Sequence, residues 1–101
     1  ANRCEWACFQ AQQSAEKALK GALLSLGIDF PKTHDLDRLR TLFPEDWAEG
    51  LDHLPLSQLT EWAVAPRYPG EWPEPECVEA REAVEQAGGV LAVVESRLRG
   101  T

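Results

Sequence analysis

The chain has 101 residues, which is enough for one domain with a modest hydrophobic core and too few for two independent cores. Its apolar fraction is 44%, yet no apolar run approaches the roughly 18 to 20 residues that a membrane span requires. The net charge of −7 repels a phosphate backbone and so argues against non-specific nucleic-acid binding.

The first predicted helix covers about residues 3 to 26 and ends at Gly27, because glycine accepts the left-handed conformation of a C-cap without steric strain. A wide apolar surface on this helix needs several neighbours, and it consists of two adjoining ridges. We infer that the small ridge is covered either by an N-terminal helix missing from this chain or by another subunit. The small ridge consists of Cys8, Ala11, Ala15, Ala18 and Ala22, and the large ridge of Phe9, Leu19, Leu23 and Leu26.

Three short helices are predicted between residues 33 and 64. Thr33 is the expected N-cap of the first, and Asp35 complements the positive end of its dipole. The second ends before Pro55, and the third is capped by Ser57 and stopped by Pro66. Their expected buried residues are Leu36, Leu39, Leu42, Phe43, Trp47, Leu51, Leu59, Trp62 and Ala63.

Four prolines between residues 66 and 75 predict a stiff loop, and the last helix begins near Pro75. Gly88 and Gly89 interrupt that helix at about 1 kcal/mol each relative to Ala, so a bend or a close contact must offset the cost. The elements together predict a single all-α domain over residues 1–101. The apolar stripe of the last helix is Val78, Ala83, Val84, Ala87, Val90, Leu91, Val94 and Leu98.

Gln12, Glu16 and Lys20 are spaced by four and therefore share one face of the first helix. One interpretation is a solvated flank with a Glu-to-Lys pair contributing about 0.3 kcal/mol. The other is a groove wall that holds a nucleotide or a polar segment of a partner. Residues 1–40 contain six basic and five acidic residues, so an anion site is expected near this helix rather than in the acidic remainder.

Three further residues are candidates for ligand binding. His34 either hydrogen-bonds locally in the first turn of its helix or contacts a base or phosphate in the groove. Arg67 and Tyr68 either form an ion pair and pack on the bundle, or supply a planar cation and a stacking ring that suit a nucleotide.

The cysteines do not indicate a metal site or a disulfide framework. Cys4 and Cys8 are one turn apart, but no second closely spaced pair of ligands accompanies them. We therefore predict reduced thiols, no metal and no cofactor. Without a signal-peptide pattern at its N-terminus, the chain is expected to be cytoplasmic and not membrane-bound.

Residues 6–20 (WACFQAQQSAEKALK), 32–36 (KTHDL) and 67–69 (RYP), in this order and spacing, resemble the prokaryotic HEPN-domain family. The resemblance covers most of the chain. It implies an antiparallel up-and-down bundle of four to five helices, which is usually dimeric and is often associated with a minimal nucleotidyltransferase. Some members are metal-independent RNases of toxin-antitoxin pairs.

Two departures from the family pattern affect the expected function. The family's first helix, which precedes residue 6, is missing. The RNase members share an Arg and a later His separated by four to six residues, whereas Trp72, Pro73 and Glu74 occupy the corresponding positions after Arg67. Without that imidazole we do not expect the usual RNase chemistry.

Our leading hypothesis is therefore a homodimeric module that binds a nucleotide or a nucleotidyltransferase partner through Gln12, Glu16, Lys20, His34, Arg67 and Tyr68. The alternatives are an RNase toxin with a non-standard site that includes His34, and a purely structural dimeric adaptor.

Overall fold

A computed structural model describes residues 3–63 and 77–99, and these ranges contain five α-helices, a short 3₁₀ turn and no strand. The all-α prediction is confirmed. The helices are α1 (Arg3–Ser25), α2 (Leu36–Arg40), α3 (Glu45–Leu51), α4 (Leu56–Thr60) and α5 (Cys77–Arg99), and the 3₁₀ turn is Glu61–Ala63.

The end of α1 has the geometry that its glycine predicts. Gly27 has a φ of 74°, which glycine adopts without a Cβ clash. The Ile28 N–H donates to the Leu23 carbonyl at 2.9 Å, and the Gly27 N–H donates to the Leu24 carbonyl at 3.1 Å. This pair of bonds is a Schellman motif, and it turns the chain back along α1.

The predicted caps of the short helices are wrong by one or two residues. Asp35, not Thr33, is the N-cap of α2, because its side chain accepts from the Asp37 N–H at 3.0 Å. The Thr33 hydroxyl instead accepts from the Asp35 N–H in a turn before the helix. Helix α4 begins at Leu56 with Pro55 in the cap position, so Ser57 lies inside the first turn.

The core lies between α1 and α5, which are the two longest helices and pack against each other. The small ridge of α1 is largely buried inside this single chain, where Cys8, Ala11, Ala15 and Ala22 are at most 6% exposed. The expectation that the whole ridge needs an additional helix or subunit is therefore wrong: the chain itself covers most of it, with α5 as the main neighbour of α1, and Ala11 also lines an open groove. The largest fully buried side chains include Leu19, Leu23, Leu36, Leu39, Leu51, Leu56, Leu59 and Val90.

The segment from α3 to α4 runs antiparallel to α5. Gly50 lies beside Val93, whose Cγ1 is 3.1 Å from the place of a Cβ on that glycine. A Cβ on Gly89 would lie 3.0 Å from Leu54 Cδ2, and Gln86 Nε2 donates to Gln58 Oε1 at 2.9 Å. A close contact therefore explains Gly89.

Two cysteines of α1 are in different states. Cys4 takes part in a disulfide, so the expectation of reduced thiols is wrong for this residue, whereas the Cys8 thiol is buried in the core.

None of the helices in the described ranges combines the length and the apolarity needed to cross a bilayer.

Candidate functional site

Four of the six candidate residues come together on the polar side of α1. Because the chain reverses after Gly27, residues 28–35 lie beside the helix. The Gln12 amide donates to the His34 carbonyl at 3.1 Å, and Lys20 Nζ lies 5.9 Å from the centre of the Phe30 ring. Gln12 and His34, which the sequence analysis assigned to one site, are therefore in contact although they are 22 residues apart in the chain.

Glu16 is the centre of this polar cluster, which we define as Gln12, Glu16, Lys20 and His34. Its Oε1 accepts from His34 Nδ1 at 2.7 Å and from Gln12 Nε2 at 3.1 Å, and its Oε2 pairs with Lys20 Nζ at 3.0 Å. Gln12 is fully buried and Glu16 is 6% exposed. The interpretation of these residues as a solvated flank is therefore wrong for Gln12 and Glu16, which are buried with hydrogen-bond partners as polar groups in a core require.

Burial by itself raises the pKa of the Glu16 carboxyl, but hydrogen bonds from His34, Gln12 and Lys20, with the charge of Lys20, hold it below its ordinary value. Glu16 is therefore ionised at neutral pH. An ionised carboxylate only accepts hydrogen bonds, so His34 Nδ1 carries the hydrogen of their shared bond. The exposed Nε2 of His34 is left without a hydrogen bond to the described part of the chain.

The lowered pKa of Glu16 predicts a pH-dependent contribution to stability. Where the unfolded carboxyl binds a proton and the folded one does not, stability rises with pH. The contribution is fully present above the pKa of the unfolded carboxyl and is lost as the pH falls through the lower pKa of the folded one. Urea unfolding from neutral to acidic pH should show a smaller acid-induced loss for Glu16→Gln than for the wild type, and equal losses would contradict the assignment.

The cluster is suited to an anion. His34 Nε2 donates a hydrogen bond when the ring is protonated, and its side chain is 66% exposed. Lys20 uses one of its three N–H groups on Glu16, which leaves donors for a ligand. Lys17 and Lys32 are exposed on the same part of the chain and add positive charge. The Lys20 ammonium offsets the charge of the Glu16 carboxylate, so the cluster itself offers an anion hydrogen-bond donors rather than a net positive charge.

Two candidate residues are not described by the structure, and two contacts at the site were not predicted from the sequence. Arg67 and Tyr68 fall outside the described residues. Phe30 and Gln13 were not identified from the sequence, although Phe30 lies against the Lys20 ammonium and Gln13 Nε2 donates to Gln12 Oε1 at 2.7 Å. The only available signal for Phe30 was an aromatic residue in the loop that returns towards α1. Within the described ranges no group of three His, Cys, Asp or Glu side chains is placed to hold a metal ion.

Comparison with known proteins gives one match. A family model described as HEPN domain matches residues 1–97, which is nearly the whole chain. Neither the curated proteins nor the solved structures include a significant match.

Proposed function

Because the chain belongs to the HEPN-domain family, we propose that it is a binding module that holds the phosphate of a nucleotide at the polar cluster. The observation that carries the proposal is the 2.7 Å bond between Glu16 Oε1 and His34 Nδ1. This bond fixes the imidazole so that Nε2 is presented to solvent. A ring whose orientation is already fixed loses less conformational entropy when it binds a ligand.

Two side chains donate hydrogen bonds to the ligand, one through an imidazole and the other through an ammonium group. His34 donates through Nε2 when its ring is protonated, and Lys20 donates through the N–H groups that Glu16 leaves unused. Charge-assisted hydrogen bonds to phosphate are stronger than neutral ones. Arg67 and Tyr68 complete the site in this proposal, with the guanidinium on phosphate and the phenol ring against the base.

The proposed module acts as a homodimer beside a nucleotidyltransferase partner in the cytoplasm, in a toxin-antitoxin-like system. A nucleotidyltransferase uses nucleotides, so a nucleotide held on this chain is within the chemistry of such a partner. The partner-binding surface and the nucleotide site are separate parts of the proposal, and the titration below tests the nucleotide site.

A second candidate function is supported by the same bond. A carboxylate that accepts from Nδ1 of a histidine orients Nε2 as a general base, an arrangement that hydrolytic enzymes use. On this alternative the chain is an RNase with a non-standard site that includes His34, Arg67 and Tyr68. The absence of the Arg-to-His spacing places it second.

We expect His34→Ala to weaken ATP or GTP binding by about tenfold or more, since a hydrogen bond to a charged group contributes about 1.5 to 3 kcal/mol. Isothermal titration calorimetry measures the effect. His53→Ala is the matched control, because His53 is the other histidine and is exposed outside the cluster. Equal affinities for His34→Ala and the wild type refute the site, and no binding by the wild type favours a structural adaptor.

Incubation of the purified protein with a labelled RNA in EDTA separates the two candidate functions. Intact RNA is the expected result for a binding module. Cleavage that disappears in His34→Ala and persists in His53→Ala would favour the RNase.

A further inference from the structure

An apolar groove runs between α1 and α5 on the outside of the bundle. Its floor consists of small residues, with Ala7, Ala11 and Ser14 from α1 and Gly88 from α5. Val84 and Leu91 of α5 form its edge and are 54% and 45% exposed. No charged side chain lines it, although the chain has a net charge of −7.

The described part of the chain does not explain Gly88. A Cβ placed on Gly88 would meet no atom of residues 3–63 or 77–99 within 4 Å outside its own helical backbone, whereas the neighbouring Gly89 lies against Leu54. Gly88 does not have a positive φ, so its backbone does not require glycine. A glycine inside a helix costs about 1 kcal/mol relative to Ala. A close helix contact from outside the chain would offset that cost.

We propose that α5 packs antiparallel on α5 of a second copy of this chain, with Gly88 of each copy near the twofold axis. The proposal rests on the homodimer of the proposed function and names its surface. The seam consists of Arg81, Val84, Gly88, Leu91 and Glu95, whose spacing alternates between three and four residues as in paired helices.

The order of residues along the seam selects the antiparallel orientation. About an axis at Gly88, Val84 of one copy lies beside Leu91 of the other, and Arg81 of one copy lies opposite Glu95 of the other. A parallel pair would instead place Arg81 against Arg81 and Glu95 against Glu95, and like charges repel. The same surface then serves both copies, as an isologous dimer requires.

The shape of the seam also fits a second copy. The exposed ridge of Val84 and Leu91 enters the groove of the other copy, where Ala7, Ala11 and Gly88 allow close approach of the helices. Leu98 lies on the same side of α5 and is also exposed. Within one chain Glu95 pairs with Arg99, but both side chains are more than half exposed, so little is lost when Glu95 turns to Arg81 of the second copy.

Sedimentation equilibrium of the whole chain tests the seam. The wild type is expected to be a dimer, and Gly88→Gln and Leu91→Lys are each expected to raise the dimer dissociation constant by about tenfold or more. Gly88→Gln should leave helix content unchanged by circular dichroism, because a Cβ there meets no neighbouring element among the described residues. The matched controls are Ser96→Gln, on α5 away from the seam, and Leu24→Lys, an exposed leucine of α1; both should dimerise as the wild type does.

Charge exchange tests the orientation. Arg81→Glu should weaken the dimer, and adding Glu95→Arg should restore it, because the pair is then reversed in both copies.

Nucleotide binding should be unchanged in Gly88→Gln, since Gln12 and Glu16 are on a different side of α1 from Ala7, Ala11 and Ser14.

A wild type that is monomeric at its highest soluble concentration overturns both the seam and the homodimer, and leaves the nucleotide site to its own test. A dimer that Gly88→Gln and Leu91→Lys leave intact overturns the seam alone. Failure of the charge exchange to restore the dimer overturns the antiparallel orientation.

Discussion

Replacing Leu19 with Ala should lower the free energy of unfolding by about 3 kcal/mol. Leu19 is fully buried and belongs to the hydrophobic core of the bundle. The substitution removes apolar contact and leaves a cavity that a closely packed bundle fills only in part. For a domain of this size, the melting temperature should fall by about 12 to 24 °C.

Leu24→Ala is the matched control for this prediction. Leu24 is on the same helix and is 70% exposed, so the same change should alter the unfolding free energy by no more than about 0.5 kcal/mol. Urea denaturation at a fixed protein concentration measures both variants. Similar destabilisation by the two substitutions would show that α1 does not bury the face described above.

Glu16→Ala has the second largest expected effect, a loss of about 2 kcal/mol in unfolding free energy. The carboxylate accepts hydrogen bonds from three side chains, so its removal releases the His34 imidazole and Lys20 and leaves Gln12 with its bonds to the His34 carbonyl and to Gln13. Residues 28–35 then lose a connection to α1. Hydrogen exchange in this segment should become faster, because local opening requires less free energy.

A control variant and a double-mutant cycle test whether the stability lost in Glu16→Ala comes from the hydrogen bonds of the buried carboxylate. Glu85→Ala removes an exposed carboxylate from α5 and should have an effect within about 0.5 kcal/mol. A double-mutant cycle of Glu16→Ala with His34→Ala should show a coupling of about 1 kcal/mol or more, because the two side chains share a short hydrogen bond. Additive losses would mean that the bond between Glu16 and His34 contributes no stability.

The start of α2 shows why local signals were insufficient in the middle of the chain. Thr33 and Asp35 are both good capping residues, and the sequence alone favoured the first. The Leu36 N–H donates to the Thr60 hydroxyl at 3.0 Å, across 24 residues. This contact fixes the first turn of α2 at Leu36, and Asp35 is then the residue in position to cap it.

The packing of the small ridge of α1 also could not be predicted from local sequence signals alone. Periodicity predicted correctly that Ala11, Ala15 and Ala22 need a neighbour, but it did not identify that neighbour. The main neighbour is α5, whose residues are more than 50 positions away in the chain. What remains uncovered is the edge of this surface at Ala7, where the groove beside Val84 and Leu91 begins.

The sequence by itself determined the helical class, the end of α1 at Gly27, and the common face of Gln12, Glu16 and Lys20. Each of these depends on residues within a few helical turns, where backbone geometry sets the spacing. Only the tertiary structure decided that Glu16 is buried, that His34 completes its hydrogen bonds, and that Gly88 has no close neighbour on the other described helices. These properties depend on elements that are distant in sequence, and burial is a property of the packed bundle rather than of any one helix.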